Sequence, residues 1–322
     1  MRRRHALATV LAATAARPAA AAPTAAPAEC VVPAKAGGGF DLSCRLAQQM
    51  LAGERSVTLR YLPGGIGALA YTTVVGRQSG DAAQIVAFSS GSLLNLAQGR
   101  FGPHTEADVR WLAVVGTDYG VIAVRKDAPW RTLRDLARAL HADPRAVAFG
   151  AGGTIGSQDW FKAALLARAA GVGHKRMRFV AFEGGGEALA ALEGGHVQVV
   201  TGDAAEVQQQ LARHDGVRLL AVLSEQRLPG LFAQVPTARE QGFDIVWPTA
   251  RGFYLGPQVP EAAARAWTES FRRAMAAPGY AAMRAAHGLH AQTLTGPELQ
   301  QFIAARMQVY RALAAELGVP RR

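Results

Sequence analysis

This chain lacks most of the patterns by which an enzyme announces itself. It has no Gly-x-Ser-x-Gly elbow, no His-Glu-x-x-His pair and no phosphate-binding P-loop. That leaves an exported α/β enzyme without a recognisable nucleophile or metal pattern. Histidine is sparse and scattered. His287 and His290 stand three apart near a helix end, with no carboxylate or cysteine cluster nearby to complete a metal site, so they read as surface residues. Beyond the first residues no apolar run reaches membrane-spanning length, which predicts a soluble mature protein. The basic residues never run together, so the footprint of a nucleic-acid binder is missing too. No solenoid-length repeat and no Pro/Ser-rich linker divides the chain after Pro27.

What the N-terminus holds is a leader. Arg2, Arg3 and Arg4 precede an Ala-rich apolar stretch, Ala6–Ala16, and small residues follow at Ala20–Ala22. This is the pattern of a secretory signal peptide over residues 1–22, and it predicts a periplasmic protein. Glu29 directly before Cys30 argues against lipid attachment there. The formal charge of +11 includes Arg2, Arg3, Arg4 and Arg17, so the mature chain would keep +7, a field that suits an anionic ligand without identifying one. Cys30 and Cys44 are the only cysteines. Export favours a disulfide between them. Against it, Cys30 begins a strand and Cys44 lies in the next helix, and such layers sit roughly 10 Å apart, beyond disulfide reach unless the chain bends back. Both readings stand, a bridge or two buried thiols.

Strand and helix patterns alternate from Cys30 to Val222, which predicts an α/β fold with mostly parallel sheets covered by helices. The last 60 or so residues read as helices alone. Two extended stretches, Tyr119–Val124 and Gly252–Gly256, are hinge candidates. They would divide the chain into lobe 1 (29–120 plus 253–322) and lobe 2 (121–252), able to close on a ligand.

Glycine placement carries the functional signal. Five strand-to-helix turns are rich in glycine or hydroxyls: Lys35–Asp41, Pro63–Gly67, Ser89–Ser92, Gly150–Ser157 and Glu183–Glu187. In open parallel sheets such turns share the carboxyl edge, where ligands bind. Glycine admits close backbone approach, and helix N-termini offer free N–H groups to an anion. One such loop is an ordinary tight turn; five together predict an anion cradle. Gly150–Gly156 has a loose likeness to a dinucleotide loop, but an exported protein has no ready supply of that cofactor, and none is expected. Asp41 suits helix capping better than ligand contact. Asp118 and Asp203 end strands, and either face the cleft or cap turns.

The set of loops resembles the extracytoplasmic solute-binding proteins of tripartite tricarboxylate transporters, the Bug family. The likeness runs from about Glu29 to Leu317. It rests on Val32–Leu42, Leu62–Ala68, Trp111–Gly120, Gly150–Trp160 and Val180–Ala188. Phe40 and Cys44 depart from the commoner first loop. With Ser92–Asn95 and Gly156–Trp160 they look like a citrate or tricarboxylate-binding branch. The resemblance implies a type II periplasmic-binding-protein fold, two lobes joined by a two-strand hinge, and ligand capture without catalysis. Carried over, Gly38, Gly39 and Phe40 would contact the ligand, with Asp41 holding the loop. Ser90 and Ser92 would add hydroxyls, Gly153, Thr154 and Ser157 would hold a carboxylate, and Gly184 and Asp203 would complete the site. The implied partners are a di- or tricarboxylate, citrate foremost, and the transporter's membrane permease. A sensor kinase is an alternative docking partner, and the protein is expected to act as a monomer.

Overall fold

Short apolar runs rich in Val, Ile and Ala become strands, and the amphipathic stretches between them become helices, in the alternation the sequence predicts. The computed structural model describes residues 26–319, so the expected leader lies outside the described residues. The first segment holds β1 (Ala28–Val32), α1 (Gly39–Met50), β2 (Val57–Tyr61), α2 (Ala68–Gly76), β3 (Gln84–Ser89) and α3 (Ser90–Ala97). A long strand, β4 (Arg110–Arg125), follows. Then come α4 (Leu133–Ala142), β5 (Ala148–Gly152), α5 (Gln158–Ala169), β6 (Arg178–Phe182), α6 (Gly185–Glu193), β7 (Val199–Asp203), α7 (Ala204–Leu211) and β8 (Val217–Leu223). The chain finishes with β9 (Pro248–Leu255) and the helices α8 (Glu261–Ala276), α9 (Tyr280–Ala286) and α10 (Gly296–Glu316).

The strands are ordered β2-β1-β3-β9-β4-β7-β5-β6, with β8 also paired to β4. The outer pairings, β1 with β2 and β3, and β5 with β6 and β7, are parallel. The antiparallel pairings all involve β4 or β9. These two strands join two α/β lobes. β4 pairs with β9 from Arg110 to Tyr119, then with β7 and β8 from Gly120 onward. The chain returns through Trp247, whose carbonyl accepts the Gly120 N–H at 2.9 Å and whose N–H donates to the Leu223 carbonyl at 2.8 Å.

The sequence shows separate strand patterns at Trp111–Val115 and Val121–Val124; in the structure both belong to this one strand. Gly120, between the two patterns, serves packing: a β-carbon there would lie 3.0 Å from Leu223 and 3.1 Å from Lys162. Register shifts along β4 let so long a strand bend. The return passage falls at Trp247, ahead of the Gly252–Gly256 stretch, which is part of β9 and the loop after it.

Helix α10 shows how the C-terminal helices attach. Leu299, Ile303, Met307, Tyr310 and Ala314 recur at helical spacing and are buried. They set α10 against α3 and β4. Burying one such large apolar side chain is worth about 1.5–3 kcal/mol. Pro297 occupies the first turn, and Gly318, at φ +61°, ends the helix.

Cys30 and Cys44 are bridged, with their Cα atoms 5.7 Å apart. The layer-spacing objection fails because α1 already begins at Gly39. Cys44 then falls directly over β1, and two small, fully buried side chains let helix and strand approach closely.

Candidate functional site

Three helices begin earlier than their apolar patterns suggest: α1 at Gly39, α3 at Ser90 and α6 at Gly185. The glycines and serines expected to form loops instead form first helical turns. Ser89 caps α3 through a reciprocal pair with Ser92. As a result the N-termini of these helices reach the cleft itself. All five predicted turns border one cavity of about 50 Å³. Gly38, Gly39 and Phe40 come from the first, Ile66 from the second, and Ser89 and Gly91 from the third. Gly152 and Ser157 come from the fourth, Glu183 to Gly185 from the fifth. An outer basin of about 470 Å³ adjoins it, sharing Ile66, Asn95, Ser157 and Glu183 and adding Arg100, Gly153 and Thr154.

The protein's own carboxylate sits in this cradle. The Gly39 N–H at the start of α1 donates to Glu206 Oε1 at 2.7 Å. On the other side, a β-carbon on Gly185 would lie 1.8 Å from Glu206 Oε2. Glu206 thus lies between the first turns of α1 and α6, and glycine is required for that approach. Gly39 is equally constrained, since a β-carbon there would lie 1.8 Å from Arg251 Nη1.

Beneath the cavity is a buried charge network. Lys162 is fully buried and spends all three donors, on Asp159 Oδ1 (2.8 Å), the Gly202 carbonyl (2.8 Å) and Asp203 Oδ1 (2.5 Å). Arg251 Nη2 donates to Asp118 Oδ2 (2.9 Å) and Asp203 Oδ2 (2.8 Å). Asp203 also accepts from Gln158 Nε2 at 2.9 Å. Asp159 Oδ2 accepts the Gly152 N–H at 3.0 Å, fixing the end of β5. Two cations face four carboxylates counting Glu206, a formal excess of two negative charges. The titration behaviour follows. Burial, then Asp203, pushes Glu206 up to about 8, and the same two causes push Asp118 up to about 6. For Asp203, burial acts upward but Lys162 and Arg251 outweigh it and hold it low. Lys162 is raised: burial opposes its charge, and Asp159 and Asp203 prevail.

Of the residues expected to bind, Gly38, Gly39, Phe40, Ser157 and Gly184 border the inner cavity, and Gly153 and Thr154 the outer basin. Asp41 accepts from the Gly37 N–H (2.9 Å) and the Tyr61 hydroxyl (2.8 Å), which holds the first loop. Three expected contacts are displaced. Ser90 is buried behind the wall, where its Oγ accepts the Ala250 N–H at 2.9 Å. The Ser92 oxygen is engaged in capping α3. Asp203 lies below the wall, with both oxygens committed to cations. Asp118 accepts the N–H groups of Tyr119 (2.8 Å) and Ala205 (3.2 Å), besides pairing with Arg251. His287 and His290 are half-buried rather than at an open surface; His290 packs on Tyr119 with ring centres 5.3 Å apart. Glu206, Arg251, Gln158 and Lys162 went unforeseen. A signal existed only for Lys162, three residues after Asp159 in a helix otherwise apolar on that side. Among the described residues no group of three or more His, Cys, Asp or Glu could hold a metal ion, and no helix is long and apolar enough to cross a membrane.

Comparison with known proteins agrees with this architecture. Residues 100–319 match the model of the tripartite tricarboxylate transporter family receptor. A UPF0065 protein of Cupriavidus necator is 24% identical over 206 residues, 64% of this chain and 61% of its own length. A UPF0065 protein of Pseudomonas sp. strain P51 is 26% identical over 256 residues, 77% of this chain and 73% of its own. Among solved structures, a TctC solute-binding protein from Polaromonas is 25% identical, with TM-score 0.62, and the match covers 91% of this chain and 99% of that one. MatC of Rhodopseudomonas palustris, solved with malate, has TM-score 0.76 at 21% identity, covering 90% and 99%. Another protein of that organism, solved with adipate, has TM-score 0.79 at 19% identity, covering 92% and 98%. The fold is the type II periplasmic-binding-protein fold, two lobes joined by two strands. With well over half its length matched by the family model, the chain belongs to the tripartite tricarboxylate transporter receptor family.

Proposed function

We propose that this chain is a periplasmic solute-binding protein that captures a small carboxylate between its lobes and delivers it to the membrane permease of a tripartite transporter. The observation that carries this reading is the meeting of five turns, from both lobes, at one cleft. A ligand favours the closed form only by touching both lobes, and this cleft offers both. The lobes would hinge at Tyr119–Gly120 and at Trp247–Pro248, where the two strands pass between them. The malate and adipate held by the structural relatives support a carboxylate, and the loop resemblance puts citrate and other tricarboxylates on the same panel.

The test is a thermal-shift screen of the mature chain against citrate, isocitrate, tricarballylate, malate, succinate and adipate, followed by calorimetry. A ligand that binds only the folded form stabilises it by about 2.7 kcal/mol at a hundred times its Kd. The expected result is a rise in Tm with at least one of them. No shift with any carboxylate would overturn the proposal.

A further inference from the structure

The inner cavity is lined by ionisable groups of both signs. Its wall includes Glu206, 8% exposed, with one carboxylate oxygen on the Gly39 N–H and no hydrogen bond to the other among the described residues. It includes Arg251, 2% exposed, whose Nε is buried without a partner. Around them the carboxylates outnumber the cations by two. A ligand bearing only negative charge would add to that excess. The N–H it would need at α1 is already held by Glu206.

We infer that Glu206 selects carboxylates carrying a protonated amine, so that the ligand class is the amino-carboxylates. The inference rests on the carboxylate-capture reading above. The ammonium group donates to Glu206 from within the inner cavity. The ligand carboxylate lies towards the outer basin, where Ser157 caps the N-terminus of α5 and Arg100 donates to Thr154 Oγ1 at 2.8 Å. Asn95 and Ser157 border both spaces, so one small molecule spans them. The raised titration point of Glu206 agrees with a site short of positive charge.

Matched ligands test this directly. Succinate, malate and aspartate share one skeleton bearing hydrogen, hydroxyl or ammonium; glutarate, 2-hydroxyglutarate and glutamate repeat the series one carbon longer. By calorimetry, the amino member of at least one series should bind at least roughly tenfold more tightly than its two relatives, and Glu206→Gln should remove that preference. The unmodified protein gives a second readout, independent of the variant's folding. Binding of the amino ligand should release a proton near neutral pH, because ammonium favours the ionised Glu206, and its affinity should rise towards pH 8. The charged groups acting on Glu206 are Asp203 from β7, Asp159 from α5 and Arg251 from β9, and Glu183 shares the cavity wall with it. Equal or tighter binding of the unsubstituted or hydroxy acids overturns the inference and leaves carboxylate capture standing. A preference that survives Glu206→Gln also overturns it. No binding by any member of either series, or by the carboxylates tested above, overturns both readings.

Discussion

The backbone N–H of Gly39 and the carboxylate of Glu206 meet at 2.7 Å across the cleft, joining the first helix of one lobe to the seventh helix, in the other. The contact places an anion where a helix N-terminus favours one, but burial, with the nearby Asp203 and Asp159, makes ionisation costly despite Arg251.

That balance predicts a pH dependence of stability. Glu206 titrates near 8 in the fold, against an ordinary 4.5. The native state therefore holds its proton more tightly than the unfolded chain does. Its stabilising contribution is fully present below about pH 4.5 and is lost as pH rises through about 8. Asp118, raised to about 6, acts in the same direction over a lower range. Melting curves between about pH 5 and pH 9 should show Tm falling with rising pH, and Glu206→Gln should flatten the upper part. An unchanged slope in the variant would show that other groups carry the effect.

Lys162→Met should be severely destabilising. It removes the cation that pairs with both Asp159 and Asp203 and leaves buried charge uncompensated, at a cost of about 3–5 kcal/mol. Urea unfolding measures this. The double variant Lys162→Met with Asp159→Leu should recover part of the loss, because Asp203 keeps Arg251. A loss under about 1 kcal/mol would mean the network relaxes or exchanges protons.

Thr154→Ala and Ser157→Ala should separate. Thr154 is exposed and its hydroxyl meets Arg100, so the substitution should weaken carboxylate binding with little effect on Tm. Ser157 caps α5 by accepting the Trp160 N–H at 3.3 Å, so its loss should also cost about 1 kcal/mol of stability. Calorimetry and unfolding on the same samples distinguish the two. Unchanged carboxylate affinity in Thr154→Ala would remove that residue from the site.

The Cys30–Cys44 bridge closes a short loop, with a sequence separation of 14. Replacing both cysteines by alanine should lower stability by about 3 kcal/mol. The bridge ties β1 to the helix whose first turn forms the cleft, so affinity should fall as well. Ligand titration of the variant under conditions where it is fully folded checks the second effect.

How much of this was legible in the sequence follows the range of the interactions. Apolar periodicity placed the alternating elements, and glycine placement identified all five turns, because both signals are local. The run from Arg110 to Arg125 reads as two short strand patterns because the stretch between them, Gly116–Gly120, interrupts the apolar run. The early starts of α1, α3 and α6 were missed for a related reason. Glycine and serine resemble loop residues until a capping partner or a facing carboxylate draws them into a helical turn. Arg251, Glu206 and Lys162 lie on different elements, and their charges acquire meaning only from one another. Ser90, Ser92 and Asp203 were assigned outward roles because a sequence cannot show which face of a turn is already bonded.

The two passages between the lobes are laced to each other by the Gly120 N–H on the Trp247 carbonyl. Two separate connectors would let the halves swivel in several directions, but two that are bonded together yield chiefly along one arc. On the proposed capture by closure, opening and shutting would be the travel of a clamshell on a single pin. Such a joint would bring the same opposing residues face to face on every cycle, so the fit between the jaws could be set by the sequence and reproduced each time they meet.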